Sequence, residues 1–422
     1  MISVKFANDI RFIQVLERAF GRHIVKLLHY YDSKNGIKNN SVIIEIYLRE
    51  TKARMSNDNN ELVQTVTGPV QLDSLGITLT HEHLSCDFTK FYKDQVPWFL
   101  ENHIAPLHAG FISMLKRYPY CDSNNLRFND LDIMETMFYE LSLFKNAGGK
   151  TIVENTSNGL CRDLKKLQDY SVKCEINIIA GTGYYTASVQ NNSNLNLTHE
   201  EMYNKLLNDL TNEIEGEESF KIGDSNNNLK IKAGFIGEVG SNWPIHEFEK
   251  RSIRATGEIQ AQLHCPVNLN PGVEEDALRE VIRLYQEAGG DSKKVAISNI
   301  DRTLWYEDKF MEFMDDTKHI YVQIDLFGTE HSFCRIRNRY YKILSDAQRI
   351  KRLTKLKDEG NLDRILISHD IHTKDRLVTF GGLGYAHILK NFVPHMSRWN
   401  FTVNDTTMLT TKNPKRWLSW KQ

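Results

Sequence analysis

The run GITLTHEHL at positions 76–84 places His81 and His83 two residues apart in a short apolar and threonine-rich stretch. In an extended strand alternate side chains face the same way, so the two imidazoles share a face and Glu82 takes the other. Two neutral imidazoles offered together at a strand end can grip one metal ion. An isolated His-x-His fits two incidental histidines equally well, so the case depends on what other strand ends offer. Glu238 stands among glycines and apolar residues in GFIGEVG, where a cap or salt-bridge acid is less expected than a ligand. Asp370 follows an apolar run in RILISHDIH, where an unpaired carboxylate is expensive to bury. His369 beside it should face the opposite side. Two imidazoles and two carboxylates make a nitrogen and oxygen donor set suited to Zn²⁺ or a similar divalent ion.

Such residues need a scaffold that brings distant segments to one point. Eight short apolar, β-branched runs recur after residue 62: 76–84, 150–156, 176–185, 232–240, 265–272, 294–301, 320–328 and 364–372. Helix-like segments separate them, for example 131–149 and 275–290, each closed by Ala-Gly-Gly. Strands alternating with helices predict βαβ units, and eight of them predict a (β/α)₈ TIM barrel. His81, His83, Glu238 and Asp370 then fall at the C-terminal ends of strands one, four and eight and converge only if the barrel closes. A doubly wound open sheet is the alternative. It calls for a glycine-rich phosphate turn after an early strand, and GTGYY at 181–185 holds only a fragment of one. Two connections are long: 85–130, rich in aromatics and read as a capping lid with its own small core, and 186–231, read as a helix within a solvated loop.

The chain has 422 residues, with 53 basic and 54 acidic side chains and a net charge of -1, which gives no electrostatic case for nucleic acid or an anionic membrane as partner. No apolar run approaches the roughly 20 residues that cross a bilayer. The six cysteines form no C-x-x-C pair, which fits reduced thiols in the cytoplasm. Residues 1–61 read as an extension separate from a 62–422 barrel, possessing an amphipathic helix at 10–29 and a strand at 41–48. The extension is basic and amphipathic enough to be read as a mitochondrial presequence, against which its acidic residues weigh. Met55 is a plausible alternative start, making the extension dispensable. With the aromatic 88–111 stretch, the extension also offers a protein-binding surface as a reading of another class; aromatic clustering in a lid is more often a local core.

GITLTHEHL resembles the signature of the phosphotriesterase family within the amidohydrolase superfamily. TIVENTSNGLCRD, GTGYY, GFIGEVGSNWP, IDRT, DLFGTE, RILISHDIHTKDRL and GGLGYAHIL are similar to its phosphotriesterase-related branch, from about Val63 to Trp417. The resemblance implies a barrel holding two metals. It implies that His81, His83 and Asp370 hold the more buried ion, with Glu238 in the bridging position that a carboxylated lysine fills in phosphotriesterases proper. It implies hydrolysis of a small-molecule amide, since vertebrate members cleave N-acetyltaurine and related N-acetyl amino acids.

The second ion of the family needs a histidine at the ends of strands five and six, and here those positions are Asn270 and Asn299. An amide oxygen is a weaker, harder ligand than imidazole. Three readings follow: a one-metal hydrolase, a degenerate barrel that binds a ligand or partner without turnover, and a two-metal enzyme using amide oxygens. In an active site Asp370 is the general base that activates water and then protonates the leaving amine. Tyr184, Tyr185 and Arg302 are candidates to contact an anionic substrate. Asp301 is a candidate to orient a ligand or Asp370 from behind. The oligomeric state is not legible.

Overall fold

The computed structural model describes residues 61–94, 115–130, 133–214, 230–330, 333–336 and 339–420, the stretches 333–336 and 339–340 by backbone alone. The helix expected at 10–29 and the strand at 41–48 lie outside them, as does the middle of the aromatic connection. Each of the eight apolar runs contains a strand: β1 Ile77–Glu82, β2 Gly149–Glu154, β3 Asn177–Thr182, β4 Phe235–Gly240, β5 Val267–Asn270, β6 Val295–Ile297, β7 Tyr321–Ile324 and β8 Ile365–Ile367. All are parallel and pair in chain order, which makes the (β/α)₈ barrel. The seam between β8 and β1 is bridged at its upper end. There the Asp370 N–H donates to the His81 carbonyl at 3.0 Å, and the His81 N–H donates to Ser368 Oγ at 3.0 Å.

Helices cover the outside: α1 Ile133–Asn146, α2 Leu164–Cys174, α3 His199–Thr211, α4 Glu247–Leu263, α5 Glu275–Glu287, α6 Glu307–Asp316 and α7 Asp346–Asp358. Their burial follows the helical period. In α5, Ala277, Leu278, Val281, Ile282, Leu284 and Tyr285 are inside. After α1 and α5 the chain turns through Gly148 and Gly289, both at φ 94°, a left-handed conformation that suits glycine.

The barrel interior is layered. Val153, Ile179, Phe235, Ala296 and Leu366 fill its lower part against Leu72, Leu75 and Trp417. Above them buried amides form a second layer: Asn268 Nδ2 donates to Asn155 Oδ1 at 2.7 Å and Gln323 Nε2 to Asn268 Oδ1 at 2.9 Å. Two residues further again come Asn270, Asp325 and Asp370. The apolar base and hydrogen-bonded middle make a fixed floor for these upper residues.

Two hairpins were not legible in the sequence. Leu62–Thr65 pairs with Gly68–Gln71 before the barrel, and Phe333–Ile336 pairs with Arg339–Lys342 after β7. The two limbs of the aromatic connection meet, the Phe88 N–H donating to the Leu126 carbonyl at 2.9 Å and the Phe128 N–H to the Cys86 carbonyl at 2.8 Å. No helix among the described residues is long and apolar enough to cross a membrane.

Candidate metal centre

His81 and His83 both turn into the barrel mouth, their ring centroids 5.4 Å apart. Each is fixed from behind. His81 Nδ1 lies 2.6 Å from Asp325 Oδ2, an acceptor, so this nitrogen carries the hydrogen. His83 Nδ1 lies 2.9 Å from Thr156 Oγ1, whose own hydrogen goes to Glu154. Both histidines therefore turn Nε2 toward the mouth, the nitrogen that binds an ion once it carries no proton.

Those nitrogens meet carboxylates. His83 Nε2 is 3.2 Å from Asp370 Oδ1. His81 Nε2 is 3.6 Å from Glu238 Oε1 and 3.7 Å from Asp370 Oδ1. It is fully buried and has no hydrogen-bond partner among the described residues. Two ligand atoms on one tetrahedral zinc, each ~2.0–2.1 Å from it, stand about 3.4 Å apart, so these separations suit a shared cation. One donor atom from each of His81, His83 and Asp370 lies within 4.8 Å of the others. Burial opposes a charge on His81, yet Asp370, Glu238 and Asp325 together raise its basicity well above the ordinary imidazole. Burial would likewise raise Asp370, but His372 and His81 hold its carboxyl well below the usual range. The surroundings favour positive charge at this point.

Asn270 and Asn299 sit at the same centre as donors. Asn270 Oδ1 accepts the Gly272 N–H at 3.0 Å, which turns Nδ2 onto Glu238 Oε1. Asn299 Nδ2 lies 3.1 Å from both Asp325 Oδ1 and Asp370 Oδ2, where an amide oxygen would face two carboxylates. A cavity of about 310 Å³ opens above, lined among others by Phe88, Phe91, Tyr185, Arg302, Asp370 and His372.

Two candidates lie elsewhere. Tyr184 is buried with its ring edge-on to Phe248 of α4 at 5.6 Å and does not line the cavity; Tyr185, its neighbour, does. Asp301 does not contact the ligands or Asp370. Its Oδ2 accepts from Arg349 Nε of α7 at 2.8 Å, both side chains fully buried. The chain turns helical at Ile300–Thr303, which points Asp301 at α7 while Arg302 reaches the mouth. Asp325 does the orienting instead, bonding His81 and the backbone and side chain of Asn299. It lies two residues beyond Gln323 on the inward face of β7, a parity signal available in IYVQIDLFG. His372, also unforeseen, contacts Asp370 from the cavity side and is itself bonded to Tyr120.

A parallel eight-stranded barrel with a histidine and carboxylate group at its C-terminal mouth is the architecture of the metal-dependent hydrolases. The chain belongs to the phosphotriesterase family, whose model matches residues 61–418. The phosphotriesterase-related protein of Aedes aegypti is 41% identical over 363 residues, covering 85% of this chain and 99% of that protein. Among solved structures, a resiniferatoxin-binding protein from Rhodobacter sphaeroides superposes with a TM-score of 0.74 at 24% identity, covering 86% of this chain and 96% of the other. A lactonase from Listeria monocytogenes does so at 0.64 and 19% identity, covering 86% and 100%. At these identities the two structures share the fold.

Proposed function

We propose that this protein is a one-metal hydrolase of the phosphotriesterase-related type, using zinc held by His81, His83, Glu238 and Asp370 to cleave a small N-acyl amine or N-acyl amino acid such as N-acetyltaurine. The observation that carries the single ion is the direction of the two asparagine amides. Both offer N–H groups to carboxylates that a second cation would otherwise neutralise. Asn299 donates to Asp370 Oδ2, the oxygen turned from the histidines, and Asn270 donates to Glu238 Oε1, the oxygen nearest His81, so hydrogen bonds already meet part of the carboxylate charge.

A zinc ion held by these residues would supply Lewis-acid polarisation of the scissile carbonyl and a more acidic water. The chain supplies the rest. Asp370 takes the proton from water and returns it to the leaving amine. Burial, together with the nearby Glu238 carboxylate, raises Tyr185 well above an ordinary phenol, so it keeps its proton and stays a donor in the cavity. Arg302, a cation in the cavity wall, meets the sulfonate or carboxylate end of the substrate. The enzyme works in the cytoplasm on a soluble small molecule, and residues 1–61 are dispensable for it.

The same asparagines favour a second reading, a barrel that binds a ligand without turnover. Zinc content per chain and N-acetyltaurine hydrolysis separate the two. One zinc with turnover supports the hydrolase. No zinc and no turnover supports the degenerate barrel, and two zincs overturn the reading of the asparagines.

A further inference from the structure

Asp370 is tied at almost every polar atom. Its N–H donates to the His81 carbonyl at 3.0 Å, and its own carbonyl accepts from Arg376 Nη1 at 2.9 Å. Its backbone is left-handed at φ 53°. Asn299 fixes Oδ2. Oδ1, the oxygen that faces the two ligand histidines, takes one further contact, from His372 Nδ1 at 3.0 Å. His372 Nδ1 also lies 2.9 Å from the Asp370 carbonyl. Both neighbours are acceptors, so Nδ1 carries the hydrogen and Nε2 points the other way. That nitrogen is 2.8 Å from the Tyr120 hydroxyl and hydrogen-bonded to it. The ring is held flat as well, stacked on Tyr120 at 28° between planes and packed on Phe88 at 4.7 Å between centroids.

We propose that Tyr120 and His372 form a positioning chain that sets the rotation of the Asp370 carboxylate. It would keep Oδ1 aimed at the point where His81 and His83 converge. Tyr120 comes from the returning limb of the β1–α1 connection and His372 from beyond β8, so the segment covering the mouth and the base beneath it are joined through one imidazole. Without the His372 N–H, Asn299 at Oδ2 is left to hold the carboxylate against rotation, with Oδ1 facing only His83 Nε2 at 3.2 Å and His81 Nε2 at 3.7 Å. Groups that orient a ligand in this way commonly govern metal affinity or turnover by ~10–100-fold. The proposal rests on Asp370 acting as ligand and base, and its test separates the two.

Three variants decide it: His372→Ala, His372→Asn and Tyr120→Phe. Zinc affinity is read by competition with a chromophoric chelator, and kcat and KM on N-acetyltaurine. An asparagine amide puts an N–H near the place of Nδ1 and has nothing at Nε2. His372→Ala should weaken zinc binding ~10–100-fold and lower kcat with little change in KM. His372→Asn should recover most of both, and Tyr120→Phe should cost only a few-fold in kcat. Equal losses in His372→Ala and His372→Asn reduce the ring to packing and overturn the proposal, as does wild-type zinc affinity in His372→Ala. If the zinc series behaves as expected while the wild type hydrolyses nothing, the hydrolase reading falls and the positioning chain stands.

Discussion

Glu82 and His369 face away from the metal centre, yet they join the two strand ends that build it. Glu82 lies between His81 and His83, and His369 immediately precedes Asp370. His369 Nδ1 lies 2.7 Å from Glu82 Oε1, which also accepts from Ser368 Oγ at 2.8 Å and the His369 N–H at 2.9 Å. Glu82 Oε2 accepts the Ile371 N–H at 3.1 Å. His369 Nε2 accepts the Ile388 N–H at 3.2 Å, so this ring is neutral with its hydrogen on Nδ1. Burial would raise Glu82, but His369 and the donors of Ile371 and Ser368 hold its carboxyl low. One buried acid thus sets the spacing between the histidine pair and Asp370.

Glu82→Ala leaves four donors buried without an acceptor. It should destabilise the fold by about 3–5 kcal/mol in urea denaturation. Glu82→Gln keeps one acceptor oxygen and should lose less. A Glu82→Ala protein as stable as the wild type would remove the strand latch.

The asparagine pair predicts metal stoichiometry. Wild-type protein purified with zinc in the medium should carry one ion per chain by elemental analysis. The Asn270→His/Asn299→His double variant should carry two, since imidazole lone pairs replace N–H donors at the same centre. A double variant that still carries one would show that more than these two side chains has changed.

Asp370→Asn removes the proposed proton acceptor while keeping volume. Turnover of N-acetyltaurine should fall by at least ~100-fold, the lower end for loss of a general base. Zinc affinity measured alongside shows how much of the loss comes from the ligand role.

Asp346 predicts an acid-sensitive contribution to stability. Its carboxylate accepts from His387 Nε2 at 2.6 Å, Arg349 Nη1 at 2.8 Å and the Gly328 N–H at 3.1 Å. Burial acts to raise it, but these partners prevail and hold it below the ordinary value. A carboxyl lower in the folded than in the unfolded state stabilises fully above the unfolded value, about 4, and loses that contribution as pH falls through the folded one. Asp346→Asn should therefore cost about 1–3 kcal/mol at pH 7. Its gap to the wild type should narrow below about pH 4, as read from urea midpoints at pH 7, 5 and 3.5. A gap that stays constant with pH would assign the effect to packing.

The strands were legible because each is a compact β-branched run bounded by breakers, and the four ligand candidates because an acid or imidazole at such an end has no cheap apolar surroundings. Parity beyond a strand end was harder. Asp301 and Asp325 both follow apolar runs. Asn299 enters the left-handed region at φ 55° and starts a helical turn, which re-aims Asp301, while Asp325 keeps the inward phase of Gln323. Tyr184 and Tyr185 differ by one position and so by opposite faces, and the short motif alone does not say which turns inward. Tyr120 and His372 meet across 252 residues, and no local period marks such a pair. The hairpin Phe333–Ile336 with Arg339–Lys342 is short and lies in a stretch that reads as part of a connection.

The seam of the barrel carries a consequence for biosynthesis. Glu82 and His369 are 287 residues apart, and the proposed ligands beside them are divided across the same junction. A ribosome must deliver nearly the whole barrel before the first-strand histidines meet their last-strand carboxylate. Contacts of such long range form late. An ion at this junction would be a clasp that only a finished chain can fasten, so retained metal would certify completed synthesis, and a chain truncated before Asp370 would be released as an open arc with nothing to close it.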